Sequence, residues 1–99
     1  MKAGYIMDNT EAIEILEEEL ERYRPKTYSE LKSMVSNKPI GKEVRTYNDA
    51  DYNIEVVVNW NDEPDGDIKV LAFVEDGEMR SFIPLTKSFI KSPDDSIKE

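Results

Sequence analysis

The spacing of the hydrophobic residues changes at Gly41. Before it they recur three and four residues apart, the period of a helix with one buried face. After it they alternate, the period of a strand with one buried side. The 99 residues suffice for one domain and are too few for two. Helices followed by strands within one domain imply an α+β fold. The expectation is two N-terminal helices packed on one face of an antiparallel meander of three to five strands. Residues 1–7 precede the first capping signal and show no period. They are expected to be loosely ordered, so that translation from Met7 would give the same fold.

Asp8-Asn9-Thr10 supplies helix-capping residues, and Asp8 with Glu11 has capping-box spacing. On a helical wheel, Ala12, Ile13, Ile15, Leu16, Leu20 and Tyr23 form one broad apolar arc. Glu11, Glu14, Glu17, Glu18 and Glu21 occupy the opposite arc, and Pro25 stops the helix. Glu19 alone among these acids falls inside the apolar arc, between Ile15 and Ala12. An ionised carboxylate is costly to bury without a partner. Three placements are open. Glu19 sits at the rim and reaches water along its own stem; or it pairs with Lys42 or Arg45; or it is buried and functional with a raised pKa. A second capping box, Thr27-Tyr28-Ser29-Glu30, starts a short helix that ends near Asn37. Tyr28, Leu31, Met34 and Val35 share its apolar face.

Glu43–Tyr47 reads as a first strand, Tyr52–Asn61 and Asp67–Glu75 as long ones, rich in Val, Ile, Trp and Phe. Residues 62–66 form the loop between the long pair. That loop length sets Trp60 opposite Ile68, Val58 opposite Val70, Val56 opposite Ala72 and Ile54 opposite Val74. Asp76-Gly77 has the composition of a two-residue hairpin turn. It predicts a fourth strand from Glu78 to Ile83, with Val74 opposite Met79, Ala72 opposite Ser81 and Val70 opposite Ile83. The tail from Pro84 holds Phe89-Ile90 and a Ser92-Pro93-Asp94-Asp95 turn. It either adds a short fifth strand or lies across the sheet.

This register places the sheet's apolar residues on one face, to be covered by the helices, with Trp60 largely buried. The opposite face would carry Val57, Leu71 and Phe82 as an apolar belt, with Phe73 flanked by Glu55 and Arg80. Two short helices cannot cover both faces. Either Phe89 and Ile90 of the tail fold over the belt, or it is a surface for a partner or a second copy. Exposed aromatics beside an Arg have the composition of an interface hot spot.

The charge balance narrows the partners. Net charge is -9, distributed as -4 over residues 1–24, +3 over 25–47 and -8 over 48–99. Direct nucleic-acid binding and an anionic membrane surface both need clustered Lys and Arg, so neither is expected. No apolar run approaches the ~20 residues of a membrane span. The N-terminal stretch lacks the apolar core of a signal peptide, so a cytoplasmic protein is expected.

Neither Cys nor His occurs. That removes disulfides, thiolate nucleophiles, Cys/His zinc sites and His-dependent triads. Asn61 to Asp67 carries oxygen ligands at alternate positions and Gly66 where a calcium loop needs glycine. Counting from Asn61, however, the twelfth position is Ala72, where a bidentate Glu is required, and strands rather than helices flank it. It reads as a hairpin loop. The carboxylate pairs Glu14/Glu18 and Glu17/Glu21 should face solvent, where nothing raises a pKa for acid–base work. No catalysis, cofactor or metal is expected.

Asn59 to Asp94 resembles a group of short, uncharacterised bacterial proteins with no assigned activity. The shared residues are Trp60, the Pro64–Asp67 loop, Ile68, Val70 and the Asp76-Gly77 turn. Beyond the turn they are Phe82, Pro84-Leu85-Thr86 and Ser88-Phe89-Ile90 before Pro93-Asp94. The resemblance implies a bacterial chain and a shared fold element, but no function. The residues themselves favour a small acidic protein-binding domain, in its sharpest form an inhibitor or immunity-type protein acting on a basic partner. The candidate contact residues are Val57, Leu71, Phe73, Arg80 and Phe82 on the sheet and Glu14, Glu17, Glu18 and Glu21 on the helix. The alternative is a stand-alone ligand-binding or regulatory domain, dimeric through the exposed sheet face.

Overall fold

The computed structural model describes residues 9–45, 51–75 and 86–98; for residues 9, 10, 45, 51 and 75 only the backbone is described. Helix α1 (Asn9–Glu21) is followed by α2 (Tyr28–Lys32). Then come strands β1 (Ile40–Arg45), β2 (Asp51–Trp60), β3 (Ile68–Glu75), β4 (Thr86–Lys91) and β5 (Ile97–Lys98). All pairings are antiparallel and the strands lie side by side in chain order, so the fold is α+β with a five-stranded meander. The expectation for residues 1–7, the Asp8 cap and the Asp76-Gly77 turn lie outside the described residues.

Helix α1 buries Ala12, Ile15, Leu16 and Leu20, with Tyr23 just beyond its end. Ile13, at the edge of the expected apolar arc, is instead 36% exposed, because the buried stripe is centred near Ala12 and Tyr23. Past Glu21 the backbone tightens, the amides of Arg22 and Tyr23 each bonding a carbonyl three residues back. The capping box of α2 forms as its sequence predicts: the Thr27 hydroxyl accepts from the Glu30 amide and the Glu30 carboxylate from the Thr27 amide. Leu31 is buried, while Tyr28, Met34 and Val35 pack against the core from its margin.

Strands β2 and β3 pair in the expected register, Ile54 with Val74 through to Trp60 with Ile68. Ile54, Val56, Val58, Ile68, Val70 and Ala72 are buried on the face under the helices. Trp60 lies on that face but is only half-buried, because its rung is the last before the 61–67 loop. The first strand starts earlier than expected, at Ile40 rather than Glu43.

The partner of β3 is the main correction. Val70 faces Phe89 and Ala72 faces Lys87, not Ile83 and Ser81. The strand beside β3 is therefore the tail segment Thr86–Lys91, and the short fifth strand is Ile97–Lys98. The reason is what β4 brings to the core face. Phe89 is fully buried opposite Val70. Lys87 meets Glu17 of α1 at 3.0 Å. Lys91, 5% exposed, donates to the Arg24 carbonyl at 2.9 Å. Pairing Thr86–Lys91 with β3 thus adds a large buried aromatic to the core face.

The same register corrects the covering of the outer face. Phe89 does not fold over that face but stands on the opposite one. Ile90, its neighbour in β4, belongs to the outer face by strand alternation. Phe73 has Glu55 on one side, as expected, and Thr86 rather than Arg80 on the other.

Phe89→Ala should cost about 3–5 kcal/mol in urea denaturation. Trp60→Ala, at the half-buried end of the same face, should cost distinctly less. A Phe89→Ala loss as small as that of an exposed residue, below about 0.5 kcal/mol, would remove the β3–β4 register.

Candidate functional site

Two surfaces carry the candidate residues. The first is the acidic face of α1. Its acids arise from one helical arc, but the fold gives most of them partners inside the chain. Glu11 accepts from the Tyr52 hydroxyl at 3.0 Å. Glu17 bridges Arg24 at 3.4 Å and Lys87 at 3.0 Å. Glu21 pairs with Arg24 at 3.0 Å. Arg24 in turn sits over the Phe89 ring, 5.4 Å from its centroid, so the guanidinium joins two carboxylates to an aromatic face. Of the expected contact acids, only Glu14 and Glu18 are exposed and make no ion pair among the described residues.

Glu19 takes the second of the three open placements. Its side chain is 8% exposed, with Lys42 Nζ at 3.2 Å and Arg22 Nε at 3.4 Å. Lys42 lies on β1 opposite Ile54, so this edge strand points a charged side chain toward the core and the helix supplies its counter-ion. Inward-pointing charge is one way an edge strand resists pairing with other chains. Beside it, burial raises the pKa of the Tyr23 hydroxyl, the Glu19 charge adds to the rise, and Arg22 opposes it.

The second surface is the outer face of the sheet. Strand alternation lines up three cross-strand rows: Glu55–Phe73–Thr86, Val57–Leu71–Ser88 and Asn59–Lys69–Ile90. Val57, Leu71, Phe73 and Ile90 are half-buried, and they form a continuous apolar patch across β2, β3 and β4. Arg80 and Phe82 lie outside the described residues. Ile90 was missed as an outer-face residue because the sequence reading took β4 to be 78–83. The only clue to its place was the alternation of Lys87, Phe89 and Lys91 with Ser88 and Ile90. Glu55 and Lys69 also border the patch, and neither makes an ion pair among the described residues.

A third cluster is structural. The Tyr28 hydroxyl donates to the Gly66 carbonyl at 2.7 Å, and Lys32 meets Asp65 at 2.8 Å, fastening α2 to the 61–67 loop. The Tyr28 amide donates to Asp95 at 2.7 Å, which ties the turn before β5 to the same helix. Asp65 and Asp95 both adopt left-handed backbone, with φ of 69° and 72°, as short polar residues tolerate in turns. Among the described residues, no group of three or more acidic side chains is placed to hold a metal ion. No helix among them is long and apolar enough to cross a membrane.

No protein-family model, curated protein or solved structure matches the chain.

Two outcomes follow from the Glu19 region. Glu19→Gln should destabilise the protein by about 1–3 kcal/mol, since it leaves a poorly solvated site without its charge pairing. In a double-mutant cycle with Lys42→Met, the two changes should be non-additive by at least about 0.5 kcal/mol. Strict additivity would show that the contact carries no energy. The raised Tyr23 pKa means that the folded state holds the phenolic proton more tightly than the unfolded chain does. Its contribution is intact below pH ~10 and is lost as pH climbs through the folded value. Tyr23→Phe should therefore gain stability relative to the parent above pH ~10, with the difference between them flat below pH ~9. Denaturation midpoints across that range measure it.

Proposed function

We propose that this chain is a small protein-binding domain that docks a partner through the outer face of its sheet. The observation that carries the reading is the one-sided packing of the fold. Helices α1 and α2 lie with the buried core on one face, while Val57, Leu71, Phe73 and Ile90 form an apolar patch on the other. An apolar patch that includes an aromatic and has charges at its rim has the composition of a contact surface. The absence of Cys and His, and the lack of buried paired carboxylates among the described residues, favour binding over catalysis.

A second reading rests on Glu14 and Glu18. These exposed acids lie four residues apart on α1, on a chain of net charge -9. They suit an inhibitor or immunity-type protein that neutralises a basic partner. Ion pairs within the chain neutralise Glu17 and Glu21, half of the four acids this reading draws on, so the sheet face is preferred.

The two readings separate in an affinity experiment with the tagged full chain as bait in a lysate of its source cell, the untagged chain included among possible prey. Leu71→Glu should abolish retention of the bound polypeptide, while Glu14→Lys with Glu18→Lys should leave it nearly unchanged. Retention should also persist between about 0.05 and 0.5 M salt, because apolar contacts are not screened. Loss of binding only on the helix variant, with a steep fall in salt, would replace the sheet reading with the acidic-helix one.

A further inference from the structure

The outer face is polarised along its strands. At the level of Phe73 and beyond it stand Glu55 and, one strand over, Glu43; at the other end, beside Asn59, stands Lys69. Glu55 and Lys69 are four residues apart along the ladder, about 13 Å at 3.3 Å per residue. Between them lies the Val57–Leu71 rung. Several charges elsewhere are paired internally: Glu17, Glu19, Glu21, Asp65 and Asp67 all meet a Lys or an Arg. Glu43, Glu55 and Lys69 do not, among the described residues. The face thus has an acidic end, an apolar middle and a basic end, and these three charges make no ion pair among the described residues.

We propose that the occupant of this face is a second copy of the chain, packed sheet to sheet about a two-fold axis that crosses the strands at the Val57–Leu71 rung. The inference rests on the reading of the outer face as a docking surface. A two-fold contact places the same patch on both sides, so the patch must complement itself. An axis parallel to the hydrogen-bonding direction reverses the strands of one copy relative to the other. Glu55 of each copy then lies over the Lys69 end of its mate, while Val57, Leu71, Phe73 and Ile90 meet across a spacing of about 10 Å between sheets. An axis along the strands sets acid over acid and base over base, which opposes association. The charge polarity therefore selects one orientation. The net charge of -9 on each copy opposes association at long range, but at 0.15 M salt this repulsion is screened beyond about 8 Å.

Sedimentation equilibrium of the full chain at 0.15 M salt tests the proposal, with circular dichroism confirming that each variant is folded. The parent should show a concentration-dependent dimer between about 10 and 500 µM. Glu55→Lys alone and Lys69→Glu alone should each weaken dimerisation at least about fivefold, because each sets like charges face to face. The double reversal restores complementarity with inverted polarity, so it should return dimerisation to within about twofold of the parent. A parent that stays monomeric throughout overturns the proposal. So does a double reversal that associates no better than the singles. If the chain is monomeric yet Leu71→Glu still abolishes capture of a different polypeptide, the docking surface stands and self-association falls. If the chain dimerises but Leu71→Glu and both charge reversals leave the dimer intact, the outer face is not the dimer contact and the proposal falls, while capture with Leu71→Glu still decides the docking reading.

Discussion

The arrangement depends on how β4 grips α1. Three residues of β4 alternate onto the core face, and each makes a contact in the C-terminal half of the helix or just past its end. Lys87 takes Glu17, Phe89 lies under the Arg24 guanidinium, and Lys91 donates to the Arg24 carbonyl. The last of these reaches the turn three residues past the end of α1, where the Arg24 carbonyl gains a donor from a strand far along the chain. Shifting β4 by one residue would turn Phe89 outward and break all three contacts together.

This grip governs the chemistry available on the surface. The helix displays a dense row of carboxylates, and such a row on an isolated helix would be a strong anionic surface. In the folded chain, bases from β1, β4 and the end of α1 neutralise Glu17, Glu19 and Glu21. Much of the acidity therefore fastens the helix to the sheet. The Glu19–Lys42 pair belongs to the same scheme at the opposite margin, where it anchors edge strand β1 beneath the helix. Partly buried pairs of this kind confer geometric specificity more than net stability, because each charge loses water before it gains its partner.

With α1 and α2 both on one face, the apolar side chains of the other face are left without cover from either helix. Their arrangement follows from strand alternation, but their identity depends on register. Placing Thr86–Lys91 beside β3 puts Ser88 next to Leu71 and Ile90 next to Lys69. The patch is therefore centred on β2 and β3 and tapers at β4. A narrow apolar strip between charges of opposite sign suits a contact of fixed orientation better than a general adhesive surface.

How much of this was legible differs by element. The capping box at Thr27 and Glu30, the apolar stripe of α1 and the Trp60–Ile68 register across a five-residue loop could all be read directly. Each is set by interactions between residues close in sequence, whose geometry the backbone repeats fix. Glu19 was recognisable as anomalous from the helical period alone, and Lys42 was among its candidate partners, but the choice among rim, pair and buried acid was not. That choice depends on where β1 passes relative to α1. The strand beside β3 was misread for a related reason. Asp76-Gly77 is a strong local turn signal, whereas the advantage of Phe89 and its flanking lysines exists only once α1 lies across the sheet. The sequence by itself determined the two helices, the long strands β2 and β3, their pairing and the face that must be buried, because these follow from local propensity and periodicity. Only the tertiary structure decided which strand closes against β3, which carboxylates are neutralised and which apolar residues are left on the outer face. Those depend on burial and charge pairing between segments distant in sequence, and no local pattern encodes such contacts.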